Sequence, residues 1–198
     1  MKWMILMSLL LGAWFITKET ETTVEIQSEE EITVSWLRDG QDGEKNSAVD
    51  IGSFFVTKRN TVYGADCIGC TIQNGIASTS SMIEVTTDSV RQSDGSWKKG
   101  ITYDGYYLIA ADDALPLCTV VQISEHSYTG EGLREGVPFY ALVVDRGSMI
   151  DENVIDLFAG SEKNSLVSHQ QMSGAVVEIV GFLNYQRNEI GQMSCAGD

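Results

Sequence analysis

From Val49 onward the chain is punctuated by short runs of β-branched and aromatic residues, each closed by a turn signal, and this rhythm limits the fold more than any other feature. The runs cover 54–63, 82–87, 106–110, 119–123, 139–144 and 175–182. Only one stretch, 162–170, reads as a helix, with Ser161 placed to cap it and Leu166 and Val167 to bury. Strands and helices do not alternate, which argues against a nucleotide-binding α/β fold. Six runs with so little helix predict an all-β domain, a barrel or a sandwich, carrying one short helix.

At 198 residues the chain has room for one such domain and an appendage. Lys2 is followed by an apolar run over 3–16, broken only by Ser8, whereas a membrane-crossing helix needs about 20 residues. Residues 1–16 therefore read as a signal peptide or as an uncleaved signal anchor, and both remain open because no clear cleavage site follows. Either route predicts a secreted or envelope-associated protein that touches a membrane only through its N-terminus. Residues 17–48 are Thr- and Glu-rich, too poor in large apolar side chains to fold alone. They read as a polar spacer with one short strand at 32–37. The folded domain is expected over 49–185, with a tail over 186–198.

Lys and Arg number 13 against 28 Asp and Glu, a formal charge of −15, which repels a phosphate backbone and excludes nucleic acid as a partner. Any contact with an anionic polymer must be local and hydrogen-bonded. Four cysteines, Cys67, Cys70, Cys118 and Cys195, suit an exported chain in which disulfides persist. Three pairings are open, with Cys67–Cys70 plus Cys118–Cys195 the favoured one. A zinc site needs a second ligand pair beside Cys67 and Cys70, and none is present, so neither metal nor cofactor is expected. His126 and His169 lie in polar surroundings and read as exposed, outside any nucleophile–base arrangement. Gly64, Gly69, Gly75 and Gly147 read as turn glycines and spell no phosphate loop.

The residues that suggest chemistry are carboxylates set against apolar runs. The strand 141–144 runs straight into Asp145, Asp156 stands between Ile155 and Leu157, and Asp112 ends the run 108–111 just before a Pro-containing turn. Partial burial there raises a carboxyl pKa toward the range of a general acid. A lone Asp in such a place more often starts a turn or meets a cation, so the set of three carries the reading. Tyr106, with Trp97, Tyr103 and Tyr107 nearby, has the ring chemistry to stack on a sugar, although the same alternation suits a plain strand. Arg146 has the donors to grip a carboxylate or to form a surface ion pair, and Ser148 lies between the two later aspartates.

Three segments, Cys67-Ile-Gly-Cys70, Ala110-Ala-Asp-Asp followed by Leu115-Pro-Leu-Cys-Thr119, and Asp145-Arg-Gly-Ser-Met-Ile150 followed by Val154-Ile-Asp156, together resemble the three-aspartate (3D) domain. That domain is related to the catalytic core of the membrane-bound lytic transglycosylase A family. The 11-residue step from Asp145 to Asp156 is the most specific match, and the resemblance spans about 54–182. Asp113 stands where the family has Pro, Cys118 and Asn153 stand where it has Gly, and Ser148 replaces the second glycine of a Gly-Gly pair. These changes bear on loop shape, because glycine tolerates backbone conformations that other residues resist.

The resemblance implies a six-stranded double-psi β-barrel that cleaves the β-1,4 bond between N-acetylmuramic acid and N-acetylglucosamine in peptidoglycan glycan strands. It implies one acid/base, Asp156, that forms a 1,6-anhydro product, with Asp145 and Asp112 as its supports. The alternatives are a barrel that binds wall glycan without cutting it, and a structural part of a secreted or phage-like assembly.

Overall fold

The computed structural model describes residues 49–68, 70, 72–187 and 193–196. The expected leader over 1–16, the spacer with its strand at 32–37, and Gly69 lie outside these residues. The described chain is all-β. Its main sheet curls into a half-barrel and runs in the order β1 (Phe54–Val56), β13 (Val176–Phe182), β10 (Thr119–Ser124), β11 (Phe139–Asp145), β9 (Tyr106–Ala110), β12 (Val154–Phe158), β2 (Arg59–Tyr63). A short strand, β8 (Thr102–Tyr103), pairs with β9 to one side. Most pairs are antiparallel, but β11 with β9 and β12 with β2 are parallel.

A second sheet of five short strands runs in chain order: β3 (Ile72–Gln73), β4 (Ile76–Ser78), β5 (Glu84–Val85), β6 (Ser89–Arg91) and β7 (Trp97–Lys99). Ser81, in the loop after β4, donates its N–H to Val144 O at 2.8 Å and so ties this sheet to the end of β11. The hairpin of β14 (Asn184–Arg187) and β15 (Met193–Ala196) follows β13, so part of the expected tail is a strand.

Ala141, Leu142, Val143 and Val144 are all fully buried, as are Leu108 and Ile109. Side chains alternate between the faces of a strand, so four buried neighbours in a row mean that β11 is covered on both sides. This explains why 139–144 reads as a continuous apolar run rather than an alternating one. Removing one such side chain, for example Leu142→Ala, costs about 2–5 kcal/mol.

The helix expected over 162–170 is absent: the described residues contain no helix, and this segment is a chain of turns ending in a bridge between Ser168 and Thr129. The capping signal is genuine, since Ser161 Oγ accepts the backbone N–H groups of Lys163 and Asn164. Propagation fails for local reasons. Leu166 N–H returns to Ala159 O, Ser165 Oγ bonds the Val167 backbone, and Thr129 and Ser168 exchange backbone hydrogen bonds at 2.8 and 2.9 Å. Each bond diverts a group that a helix would need for its own ladder.

His126 also departs from expectation, being buried rather than exposed. Its Nδ1 accepts the Tyr128 N–H at 3.1 Å and its Nε2 lies 2.8 Å from Val137 O, which fixes the tautomer as Nε2–H. Its ring packs edge-on against Phe139 at 4.8 Å. His169 is half-buried, with its ring 5.4 Å from Tyr128. Polar neighbours in sequence misled here, because Phe139 reaches His126 from β11 and Tyr128 reaches His169 from a distant loop.

Two disulfides join Cys67 to Cys70 and Cys118 to Cys195, with Cα separations of 5.2 and 5.4 Å. The second ties the start of β10 to β15. Among the described residues no helix is long and apolar enough to cross a membrane, and no group of three or more His, Cys, Asp or Glu is placed to hold a metal ion.

Candidate active site

The aspartates gather around one small residue. Ala110, the last of β9, is the register partner of Asp145 on parallel β11 and of Asp156 on antiparallel β12. Strands in a sheet lie about 4.8 Å apart, so the two carboxylate-bearing residues flank the end of β9 with Cα atoms roughly 10 Å apart. Asp112 follows two residues beyond Ala110, where the strand gives way to a turn. The sequence separates these acids widely, and strand register brings them together.

Their environments differ. Asp145 is half-buried, and its Oδ1 accepts three hydrogen bonds, from Ser80 N–H at 2.9 Å, Ser80 Oγ at 2.8 Å and Arg146 N–H at 2.9 Å. Ser80 belongs to the loop after β4, so the second sheet fixes the orientation of this carboxylate. Asp112 Oδ1 accepts Ala114 N–H at 2.9 Å, which shapes the turn after β9.

Asp156 is the perturbed one. Its neighbours Ile155 and Leu157 are fully buried, and its own Oδ1 is buried with no hydrogen-bond partner. Burial pushes its pKa from 3.8 up to about 6. The Thr61 side chain and Arg59 pull it down, while Glu162 and Asp145 push it further up. The charge of Asp112 is felt by Arg146.

Arg146 is engaged through all three guanidinium nitrogens. Nη1 donates to Ala111 O and Asp145 O, Nη2 to Leu115 O, and Nε pairs with Asp113 at 3.1 Å. Burial lowers its pKa, opposed by Asp113, Asp112 and Asp145. It works as a brace that pins the turn 111–115 to the end of β11. Ser148 is exposed in the loop between β11 and β12. Tyr106 is half-buried at the start of β9, four residues before Ala110 and so roughly 13 Å from the aspartate end of that strand. The geometry brings the three acids together and leaves Tyr106 apart.

Strand β2 supplies residues that the sequence does not mark. In the parallel pairing with β12, Arg59 lies opposite Val154, Thr61 opposite Asp156 and Tyr63 opposite Phe158. Cross-strand partners share a sheet face, so a cation, a hydroxyl and a phenol line up along Asp156. Arg59 bonds Met149 O, and its Nε is buried without a partner. Residues 59–63, Arg-Asn-Thr-Val-Tyr, belong to a β-rich run, but nothing in that run names the acid opposite.

A latch completes the edge of the site. Asp66 accepts Glu162 N–H at 2.7 Å and Ser161 Oγ at 2.9 Å, and the Glu162 bond leads in holding its carboxyl below the usual range. Gly64 makes this latch possible, because a Cβ there would run into the backbone of Ser161 and Glu162. Glu162, one of the charges acting on Asp156, is positioned by these contacts.

The arrangement can hold a proton on one carboxyl group up to about pH 6 while presenting a second, firmly oriented carboxylate beside it. Comparison with family models, with curated proteins and with solved structures gives no match to this chain.

Proposed function

We propose that the chain is a 3D-type double-psi β-barrel and an exported peptidoglycan lytic transglycosylase, with Asp156 as its single acid/base. The observation that carries this reading is the half-buried Asp156, its Oδ1 enclosed and its pKa pushed up to about 6, registered beside the fixed Asp145 carboxylate across Ala110. Asp156 gives its proton to the glycosidic oxygen as the bond from muramic C1 breaks. The resulting carboxylate then takes the proton of the muramic 6-hydroxyl as that oxygen closes on C1, which regenerates the acid. Asp145 favours the proton-bearing form of Asp156 through like-charge repulsion, and Asp112 and Arg146 hold the loop beside it.

Two features support the barrel. Strands β1 and β2 are separated only by Thr57 and Lys58, yet β1 pairs with β13 and β2 with β12, so one continuous stretch touches both ends of the main sheet. Counted as one strand, β1–β2 joins β9, β10, β11, β12 and β13 to make six. The second feature lies at a position where the family carries glycine: Cys118 adopts a φ of 70°, the left-handed conformation for which glycine is suited.

The test is mass spectrometry of purified wall digested by the wild-type chain and by Asp156→Asn. Release of 1,6-anhydro muropeptides by the wild type alone is the expected result, and equal release by a folded Asp156→Asn protein refutes the assignment. A second reading, a barrel that grips wall glycan without cutting it, draws on the exposed Phe54 and Tyr140 of the main sheet. Glycan binding without product, unchanged by Asp156→Asn, selects it. Neither binding nor product points to a structural role in a secreted or phage-like assembly.

A further inference from the structure

Tyr63 is fully buried at its hydroxyl, which has no hydrogen-bond partner. Its ring is held edge-on by Phe158 at 5.5 Å, and Phe158 is itself fully buried, so the phenol has little freedom to turn away. The register places it two residues beyond Thr61, which lies opposite Asp156, on the same face of β2. Both Asp145 and Asp156 act on this hydroxyl as charges, and Asp145 also acts as an acceptor, at a geometry short of a formed hydrogen bond.

A buried hydroxyl among carboxylates has one favourable use, which is to donate. Asp145 Oδ1 already accepts three donors, from Ser80 and Arg146, so its second oxygen and the unpartnered Oδ1 of Asp156 are the acceptors open to Tyr63. Burial and these two negative charges raise the phenol well above its ordinary pKa, so it keeps its proton throughout the working range.

We propose that Tyr63 is a positioning residue whose hydroxyl links the Asp145 and Asp156 carboxyl groups into one titrating unit and sets the pH at which Asp156 gives up its proton. The proposal deepens the transglycosylase reading and rests on it for its catalytic meaning. The sign follows from electrostatics. A donor shared with the carboxylates stabilises negative charge, so its loss makes Asp156 harder to ionise whether the contact falls on Asp156 directly or relieves Asp145 beside it.

The test is Tyr63→Phe, which keeps the ring against Phe158. Carboxyl carbon NMR of Asp-labelled protein, titrated from pH 4 to 8, follows Asp156 in the wild type and in the variant. Its midpoint is expected to rise by at least about half a unit in Tyr63→Phe, since hydrogen bonds to charged groups are worth more than one pK unit in favourable cases. The alkaline limb of muropeptide release is expected to move upward in parallel. An unchanged Asp156 midpoint in a folded Tyr63→Phe protein overturns the proposal. Phe158→Leu, which keeps the hydroxyl but loosens the ring, is the second variant: its midpoint is also expected to rise, and unchanged midpoints in both folded variants assign the pair to packing alone. The NMR readout needs no substrate, so absence of anhydro products from the wild type would remove the transglycosylase reading while leaving the Tyr63 result to stand or fall separately.

Discussion

Replacing Asp156 with Asn removes an ionisation that the fold resists. The folded protein holds the Asp156 proton up to a pKa of about 6, whereas the unfolded chain releases it near 3.8. Between those values the folded state binds more protons than the unfolded state, so wild-type stability falls as pH rises through this window. Two pK units correspond to about 3 kcal/mol, fully lost above about pH 7. Asn cannot ionise and escapes this loss. At pH 4 the two proteins are expected to be about equally stable, and at pH 8 Asp156→Asn is expected to be more stable by up to about 3 kcal/mol. For a folded region of this size that is a rise in Tm of about 6–12 °C. Calorimetry or urea unfolding at pH 4, 5, 6, 7 and 8 gives the difference directly. A stability difference that does not change with pH refutes the claim that burial raises Asp156. On the proposed reading the same variant is expected to be inactive, which would set stability against activity at this one residue.

Gly64→Ala forces a methyl group into the backbone of Ser161 and Glu162; a loss of about 1–3 kcal/mol in urea unfolding is expected, together with a lower Asp156 pKa as Glu162 moves away. A neutral effect on both would mean that the 160–164 loop is not held by this approach. Cys118→Ser with Cys195→Ser opens a cross-link between residues 77 apart in sequence, and chain-entropy reasoning gives a loss of up to about 4.5 kcal/mol. Unfolding of the double variant and of the wild type under non-reducing conditions measures it.

The long strands are legible because their residues satisfy two demands at once, β-compatible side chains and a turn at each end. Strand β9 falls at the expected 106–110, while the expected run 54–63 is divided by Thr57 and Lys58 into β1 and β2. The second sheet is mostly illegible. Trp97-Lys98-Lys99 forms β7, and Ser89-Val90-Arg91 forms β6, on a composition that would serve equally in a loop. What holds them is pairing with each other, a property of context more than of residue type. The aspartates announce themselves by interrupting or ending apolar runs. Tyr63, Thr61 and Arg59 do not, because their importance comes from facing a strand that lies more than 90 residues later in the chain. Ser161 shows the opposite failure, a correct capping signal attached to a segment that other bonds divert.

Ala110 is the point on which the site converges, and it is reached only when β9 has found both β11 and β12. These are contacts between distant parts of the chain, the kind that pay their loop-closure cost before they gain anything and so form late. Before then Asp156 is an ordinary solvated carboxyl group that gives up its proton near pH 3.8, about two pH units below the folded one. The raised proton affinity of Asp156 and the fold that causes it therefore arise in the same step. On the proposed transglycosylase reading, a nascent or partly folded chain lacks the raised acid that the reaction needs.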